Sequence, residues 1–262
     1  VIPFKRGVGF LVHNRIDPYV LDVEPISDRI SCLHLNHIVP MAFLSAYAHP
    51  SDHGFDQKDS FYAQLGEVFR RLSSSSATFV LGDFNARITA NIDEDSRAIG
   101  PHLFAPSLDV LEAKTDNVLD NRALFLAFAE SHDLRIMNTF FQKPPKDLVT
   151  YRNRKTVHGP PWVRPGYDTI DYLLAPQRWC NSILNVHSDT DALCQSQHYP
   201  LLVTACVKLK KVERKGVVPQ MPRYLPLSEQ EVDRYAGLLS EIMPLSWTTN
   251  DIYDRLVSVA TT

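Results

Sequence analysis

An acidic residue and an amide residue directly follow a short apolar run. Residues 78–81 predict a buried strand, and this strand leads into Gly82, Asp83, Phe84 and Asn85. Because side chains alternate along a strand, Asp83 and Asn85 are expected to face one way while Phe84 packs behind them. Gly82 is expected to leave room for a phosphate. Asp83 can orient a water molecule or hold Mg²⁺, and Asn85 can donate to a phosphate oxygen, which are tasks in phosphodiester hydrolysis. The same residue types are typical of a strand that ends in an Asx turn, so both interpretations stay open here.

Three other polar residues lie near the ends of predicted strands. Tyr47 ends one apolar segment, Asp171 lies within another, and His198 precedes a third. A carboxylate bonded to one ring nitrogen of a histidine fixes the tautomer and raises the basicity of the other nitrogen, which is the chemistry that a catalytic pair of these two residue types would use. Considered alone, His198 also fits a loop or core position beside Pro200, and Tyr47 fits a tyrosine that only packs on its strand.

Four short segments, in their order and separation, resemble the motifs of the endonuclease/exonuclease/phosphatase superfamily, whose members include the apurinic-site endonucleases. The segments read SAYAHP at residues 45–50, GDFN at residues 82–85, TIDYLL at residues 169–174 and SQHYPL at residues 196–201. Residues 149–165, 170–172 and 176–179 resemble more specifically the endonuclease domains of non-LTR retrotransposons, as found in protists. The resemblance extends over residues 7–209.

The resemblance implies a role for each of five residues. Tyr47 would contact a phosphate through its hydroxyl, and Asp83 with Asn85 would position the water and the phosphate. His198 would lie next to the scissile phosphate, with Asp171 as the carboxylate that orients its ring. With Asp83 and Asp171 at the family spacing, the catalytic interpretation of His198 is preferred to a core position, whereas the role of Tyr47 stays open.

Two features depart from the family pattern. Members of the family place a metal-binding glutamate and an asparagine before the segment that matches residues 7–10, and the chain begins at Val1, after that point. Gln197 stands where the family has an aspartate. Because Mg²⁺ prefers carboxylate oxygens in octahedral geometry, an amide oxygen replaces that ligand poorly. These departures imply a vestigial site with no assigned metal ligand and no cofactor, and Mg²⁺ is expected only if the site is active.

The composition indicates a globular protein. Of the 262 residues, 44% are hydrophobic and 22% are charged, and the net charge is −3. This length allows a large core, and the slightly acidic charge gives no general attraction to nucleic acid. The four cysteines lack the spacing of a zinc site or a disulfide framework, so we expect reduced thiols in an intracellular reducing compartment, either the nucleus or an organelle. No apolar stretch reaches the roughly 20 residues of a membrane span.

Many strands and two helices indicate an α/β fold. Strands are predicted at residues 9–13, 30–36, 39–47, 78–83, 135–139, 149–152, 169–174, 183–188 and 201–209. Two apolar stripes predict helices, one at Phe61, Leu65, Val68, Phe69 and Leu72 behind an N-cap at Asp59 or Ser60, the other at Leu124, Phe125, Phe128 and Ala129 behind Asp120 or Asn121. We therefore expect a two-sheet α/β sandwich of the endonuclease/exonuclease/phosphatase type that lacks its first strands.

Two basic stretches bear on nucleic acid and on domain organisation. The first interleaves with Tyr151 and Trp162 and could follow a phosphate backbone and stack a base, with a solvated loop as the alternative. It comprises Lys143, Lys146, Arg152, Arg154, Lys155 and Arg164. The second, at residues 208–215, precedes several prolines and indicates a boundary. The predicted organisation is an incomplete domain at residues 1–209, a basic, proline-containing linker at 210–227 and a helical tail at 228–262.

The sequence supports three hypotheses of function. The leading one is a retrotransposon-derived endonuclease-like domain that is catalytically degenerate and serves as a structural or interaction subunit, with other protein subunits covering its N-terminal side and its helical tail. The first alternative is an active Mg²⁺-dependent DNA endonuclease whose glutamate lies upstream of Val1. The second is a nucleic-acid-binding module without chemistry, which would use the first basic stretch. A Gln-Glu pair upstream in the full reading frame would favour the enzyme.

Overall fold

The computed structural model describes residues 7–36, 38–73, 75–89, 96–104, 115–192, 196–209 and 211–212. The predicted helical tail at 228–262 and the predicted linker beyond residue 212 lie outside the described residues. The domain boundaries given above therefore stay predictions. Neither of the described helices is long and apolar enough to cross a membrane.

Within these ranges the chain forms ten strands and two α-helices. The strands are β1 (Val20–Pro25), β2 (Ile30–Leu35), β3 (Met41–Tyr47), β4 (Ala77–Asp83), β5 (Leu134–Ile136), β6 (Tyr151–Arg152), β7 (Tyr167–Asp168), β8 (Asp171–Pro176), β9 (Ile183–Ser188) and β10 (Leu201–Ala205). The helices are α1 (Phe55–Ser73) and α2 (Asp116–Ser131). Six strands form one mixed sheet in the order β1-β2-β3-β4-β8-β5, in which β3 and β4 are the parallel pair. α1 connects these two strands, because parallel neighbours need a long crossover.

Both faces of the six-stranded sheet are covered, as the alternation of its side chains shows. In β4, Val80 packs in a core beneath α1 and α2, whereas Phe79 packs in a second core on the opposite face. β8 alternates in the same way, with Leu174 in the first core and Leu173 in the second. The hairpin of β9 and β10 completes the second core through Ile183. The layers are therefore two helices, the mixed sheet and a hairpin, which confirms the predicted α/β class.

Both helices begin earlier than the apolar stripes predict. α1 begins at Phe55 and α2 at Asp116, in each case ahead of the N-caps inferred from the sequence. The physical reason is that, near the start of each helix, a polar residue occupies a buried position where the apolar stripe would need an apolar one. These residues are Lys58 in α1 and Asn121 in α2, each 1% exposed. Such a residue interrupts the apolar pattern without interrupting the helix. The apolar stripes themselves are buried as predicted, apart from Leu124, which is only partly buried.

Several strand predictions need correction. Residues 9–13 form no strand although Phe10 and Val12 pack against the second core, because alternating burial does not by itself supply a hydrogen-bonding partner. The predicted strand at 135–139 turns into a 3₁₀ helix at Met137–Phe140, and β10 ends at Ala205 rather than at residue 209. β1 was not predicted, because its mostly exposed side chains at the sheet edge carry no alternating signal.

Gly82 has a role in strand packing, and the room that it is expected to leave for a phosphate stays a prediction. Its φ of 149° favours glycine, and a Cβ at this position would lie 1.8 Å from the carbonyl oxygen of Ala46. Ala46 is the β3 residue that pairs with Gly82 in the parallel ladder. The glycine is therefore needed for the close approach of two strands, and this approach places Tyr47 beside Asp83.

Candidate active site

Three side chains of the predicted site lie in one row across an end of the six-stranded sheet. Tyr47 ends β3, Asp83 ends β4 and Asp171 begins β8. The ladder pairs Tyr47 with Asp83 and Asp83 with Asp171. Because like charges directly opposite each other on antiparallel strands repel, the two carboxylates destabilise the sheet at this end. Local arrangements that cost stability occur mainly where function requires them.

His198 reaches the same place from a different part of the chain. Its backbone forms an isolated bridge with Tyr151, and the two rings meet edge to face with centroids 5.1 Å apart. Its Nδ1 lies 3.0 Å from Oδ2 of Asp171, and its Nε2 lies 3.8 Å from Oδ2 of Asp83. Since an ionised carboxylate only accepts, Nδ1 carries the hydrogen and Nε2 is left facing Asp83. The predicted contact of Asp171 with His198 is therefore present, and we call these three residues the carboxylate–imidazole cluster.

The surroundings of the cluster raise the pKa of two of its members. Burial, and then the charge of Asp171, raise the pKa of Asp83 to about 7. Burial disfavours the charged form of His198, but the hydrogen bond and charge of Asp171, together with the charge of Asp83, outweigh it and raise the pKa of the ring. Burial and the charge of Asp171 thus favour the protonated form of Asp83, and the two carboxylates favour the protonated form of His198. A ring nitrogen with such a pKa can take up and release a proton at a reacting group.

Asn85 lies beyond the end of β4, so the alternation expected from a strand does not extend to it. Its φ is 50°, in the left-handed region that asparagine tolerates. Its backbone N–H donates to Oδ1 of Asp83 at 2.9 Å, and its side-chain amide donates to the carbonyl of Ala48 at 3.0 Å. Phe84 is fully buried behind the turn, as predicted. The Asx turn and the candidate site are thus one feature, because the turn fixes the carboxylate of Asp83.

Tyr47 packs against a buried arginine. The guanidinium carbon of Arg29 lies 4.9 Å from the centre of the Tyr47 ring, and its Nη1 donates to the carbonyl of Tyr47 at 3.0 Å. Arg29 is 6% exposed. The cation–π contact and the hydrogen bond hold Tyr47 at the edge of the cluster. Its contact with a phosphate stays a prediction.

Two buried polar side chains, to which the sequence assigned no role, hold the backbone of Asp171. The hydroxyl of Thr150 accepts hydrogen bonds from the N–H groups of Ile170 at 3.0 Å and Asp171 at 3.1 Å. The amide of Asn138 donates to the carbonyl of Asp171 and accepts from the N–H of Leu173, both at 3.0 Å. The signal that could have identified Thr150 and Asn138 is a polar residue inside a predicted apolar strand, because a buried polar group needs partners.

The side chain of Gln197 bonds to the segment around β6. Its Oε1 accepts from Nε of Arg154 at 3.3 Å, and its Nε2 donates to the carbonyl of Arg152 at 3.4 Å. The position at which the family has an aspartate is therefore engaged with a neighbouring segment and supplies no carboxylate.

The basic residues predicted to contact nucleic acid fall into two groups. Arg152 and Arg164 use their guanidinium groups within the protein. Arg152 donates to the carbonyl of Thr156 at 2.6 Å, and Arg164 donates to the carbonyl of Val157 and to two further oxygens. The second group is Lys143, Lys146, Arg154 and Lys155, whose side chains bond to no backbone carbonyl in the described residues. Nε of Arg154 donates to Gln197, and Nζ of Lys146 lies 3.9 Å from a carboxylate oxygen of Asp191. The contact of either group with nucleic acid stays a prediction.

The donor set of the cluster fits a divalent cation in part. Asp83, Asp171 and His198 offer one ligand atom each, and these atoms lie within 4.8 Å of one another. Two carboxylates and an imidazole suit Mn²⁺ or Zn²⁺, whereas Mg²⁺ prefers oxygen ligands alone. A cation at this position would offset the burial and the charge of Asp171, the two effects that raise the pKa of Asp83.

Comparison with known proteins identifies the fold. No protein-family model matches the chain. Craniofacial development protein 2 of Bos taurus is 22% identical over 234 residues, which cover 87% of this chain and 34% of that protein. The catalytic domain of APE2 from Xenopus laevis matches with 15% identity and a TM-score of 0.50, covering 72% of this chain and 58% of that one. The endonuclease domain of TRAS1, a telomere-specific non-LTR retrotransposon, matches with 14% identity and a TM-score of 0.44, covering 69% of this chain and 64% of that one.

The structural likeness to APE2 shows that the chain has the fold of the endonuclease/exonuclease/phosphatase superfamily, as its motifs predict. At 15% identity this likeness shows the fold and not the activity. The chain spans about a third of the length of the curated relative that it matches. The likeness to TRAS1 is too low to assign the retrotransposon branch, which stays a prediction.

Proposed function

We propose that the chain is a metal-dependent phosphodiesterase domain of the endonuclease type that acts on DNA. The observation that carries the proposal is the cluster, in which Nδ1 of His198 lies 3.0 Å from Asp171 and Nε2 lies 3.8 Å from Asp83. A relic of an active site has no need for two facing carboxylates, since a neutral residue at either position would relieve their repulsion. Retention of both carboxylates favours an active site over a degenerate one.

Each member of the cluster has a task in this reaction. Asp171 holds the ring of His198 through Nδ1, which leaves Nε2 for proton transfer at the phosphate. Asp83, fixed by its turn, orients the attacking water. The side chain of His198 is 37% exposed, so a phosphate can reach it.

A divalent cation is part of the proposal. When bound, it would neutralise the phosphate and stabilise the charge that develops on its oxygens. The carboxylates of Asp83 and Asp171 are the groups of this chain that would hold it. This proposal replaces the expectation of a site without cofactor, which rested on Gln197 and on the residues before Val1.

The second candidate is the catalytically degenerate, retrotransposon-derived subunit predicted from the sequence. Gln197 favours it, because an amide bonded to Arg154 stands where the family supplies a carboxylate. In this candidate, another protein covers the open edge of the two-stranded sheet that β9 and β10 form. Leu184, 57% exposed in β9, and Val203, 40% exposed in β10, support such a covering partner.

Nicking of supercoiled plasmid DNA by the 262-residue chain separates the two candidates. With Mg²⁺ or Mn²⁺ present, we expect the wild-type chain to nick DNA and Asp83→Asn to lose about 100-fold or more in rate, because the amide keeps the shape but not the charge. Asp133→Asn is the matched control, since the side chain of Asp133 is 68% exposed and the residue directly precedes β5 rather than belonging to the cluster. A wild-type chain that nicks no faster than Asp83→Asn would overturn the proposal.

Gln197→Asp tests the second candidate directly. If Gln197 disables the site, the substitution should create activity in a chain that is otherwise inactive. If the cluster is competent as it stands, the rate should change by less than about threefold, as for a substitution outside the reacting groups.

A further inference from the structure

We infer that Asn121 is a positioning residue for the proposed active site, a role that rests on the proposed phosphodiesterase function. Asn121 lies in α2 and is 1% exposed. Its side-chain nitrogen donates to the carbonyl of His49 at 3.0 Å and to the carbonyl of Asn85 at 3.1 Å. One buried amide thus joins the two loops that follow β3 and β4, the strands that end at Tyr47 and Asp83.

The neighbours of the amide fix its orientation. Both groups that it meets are carbonyl oxygens, so the nitrogen and not the oxygen must face them. Within the described part of the chain, Oδ1 of Asn121 is buried and accepts no hydrogen bond. Leaving a buried acceptor unpaired costs stability, so packing alone does not explain an asparagine here. Its two donors do.

The link from Asn121 to the cluster passes through Asn85. The carbonyl of Asn85 accepts from Asn121, its N–H donates to Oδ1 of Asp83, and its side chain donates to the carbonyl of Ala48. Because one oxygen of Asp83 is fixed by this N–H, the other oxygen faces His198. A shift of Asn85 would therefore move the carboxylate relative to the imidazole, and a misplacement of about 1 Å can cost about 100-fold in rate.

Lys58 provides a matched control for a purely structural effect. It is also 1% exposed, and its Nζ donates to the carbonyls of Ser51 at 3.3 Å and Asn117 at 2.9 Å. Like Asn121, it ties a helix to the segment after β3, but its hydrogen bonds do not include Asn85. Loss of either residue should loosen the helices on the sheet, and only loss of Asn121 should release Asn85.

The experiment compares Asn121→Leu, which keeps the approximate volume without the donors, with Lys58→Met. In cleavage of a duplex oligonucleotide, kcat of Asn121→Leu should fall about 10- to 100-fold while KM stays within about threefold, because a misplaced carboxylate affects the transition state more than binding. The amide hydrogen of Asn85 should exchange with solvent at least about tenfold faster, as expected for local opening. Lys58→Met should keep both values near wild type even if it lowers Tm equally. If Asn121→Leu does not fold, the same measurements are made on Asn121→Asp, which keeps the shape and replaces both donors by acceptors.

The two measurements separate this inference from the proposed function. A wild-type chain that does not cleave DNA refutes the proposed function, while the exchange rate of the Asn85 amide still tests the link to Asn121. The inference is overturned if the Asn121 variants keep the wild-type exchange rate. It is also overturned if Lys58→Met lowers kcat as much as Asn121→Leu at the same Tm.

Discussion

The carboxylate–imidazole cluster and the loop at residues 153–166 both adjoin β6, and they use charge in opposite ways. In the cluster, Asp83, Asp171 and His198 come from distant parts of the sequence, and their side chains meet one another. In the loop, basic residues lie close together in the sequence, and the guanidinium of Arg164 meets backbone oxygens. The cluster contains repelling carboxylates that a proton or a cation would relieve, whereas the loop uses the charge of Arg164 to bond its own backbone.

Arg164 illustrates how the loop uses its positive charge. Its guanidinium donates to the carbonyl of Gly159 at 2.8 Å, to the hydroxyl of Tyr167 at 3.3 Å and to the carbonyl of Val157. An irregular loop leaves carbonyl groups without ladder partners, and an arginine can supply several donors at once. A basic residue is therefore available for a phosphate only where the surrounding backbone does not already use it.

The largest expected effect is a loss of activity when a residue of the cluster is replaced. His198→Ala removes the ring that bonds to Asp171, so the initial rate of DNA nicking should fall by about 10²- to 10⁴-fold. Tm should change little, because the side chain is 37% exposed. His187→Ala is the control, since His187 lies in β9 and bonds to Asn185. Equal losses of activity in the two variants would show that the cluster has no special role.

A smaller effect, on stability, is expected in the loop. Arg164→Ala leaves the carbonyls of Val157 and Gly159 without this donor, so the free energy of unfolding in urea should fall by about 1–3 kcal/mol. Arg178→Ala is the control, because its guanidinium stacks 5.5 Å from the centre of the Trp179 ring and such a contact at an exposed site contributes only about 0.5–1 kcal/mol. Limited proteolysis should cut the loop faster in Arg164→Ala. Loss of DNA affinity with unchanged stability would instead assign Arg164 to a phosphate.

The cluster could be predicted from the sequence because its signals are local. Asp83 and Asp171 stand at strand ends within recognisable motifs. The pairing of Asp171 with His198 is implied by the resemblance of these motifs to a known family, and the chemistry of a carboxylate beside an imidazole is its rationale. The support of Asp171 could not be predicted in the same way. Thr150 and Asn138 bond to the backbone of Asp171 from 21 and 33 residues away. Contacts over such distances in the sequence are not indicated by the spacing of residues within a helix or a strand.

The sequence also predicts the starts of both helices too late, and polar contacts between distant residues are again the cause. A buried polar residue weakens the apolar period from which a helix is inferred. In α1 that residue is Lys58 and in α2 it is Asn121, and each donates to backbone carbonyls outside its own stripe. In both helices, the polar residue that interrupts the apolar pattern bonds the helix to a loop. In α2 this is the loop that holds Asp83.

The smallest expected effect tests whether an exposed residue of the loop contacts nucleic acid. Lys155 is exposed, and its backbone N–H rather than its side chain bonds to Asn153. If Lys155 contacts a phosphate, Lys155→Ala should weaken binding to DNA duplexes equally across sequences and reduce the slope of log affinity against log salt by about 1. Fluorescence anisotropy between about 50 and 200 mM salt measures this slope.

Arg164→Ala is the informative partner for this last measurement, because it lies in the same loop and removes the same formal charge. Its guanidinium is already bonded to Gly159 and Tyr167, so it releases no counterion from DNA and its loss should leave the slope unchanged. Equal slopes for Lys155→Ala and Arg164→Ala, both below wild type, would mean that internal hydrogen bonds do not decide which basic residues reach DNA. A slope unchanged in both variants would make the loop a structural element alone and leave DNA recognition to the cluster and its surroundings.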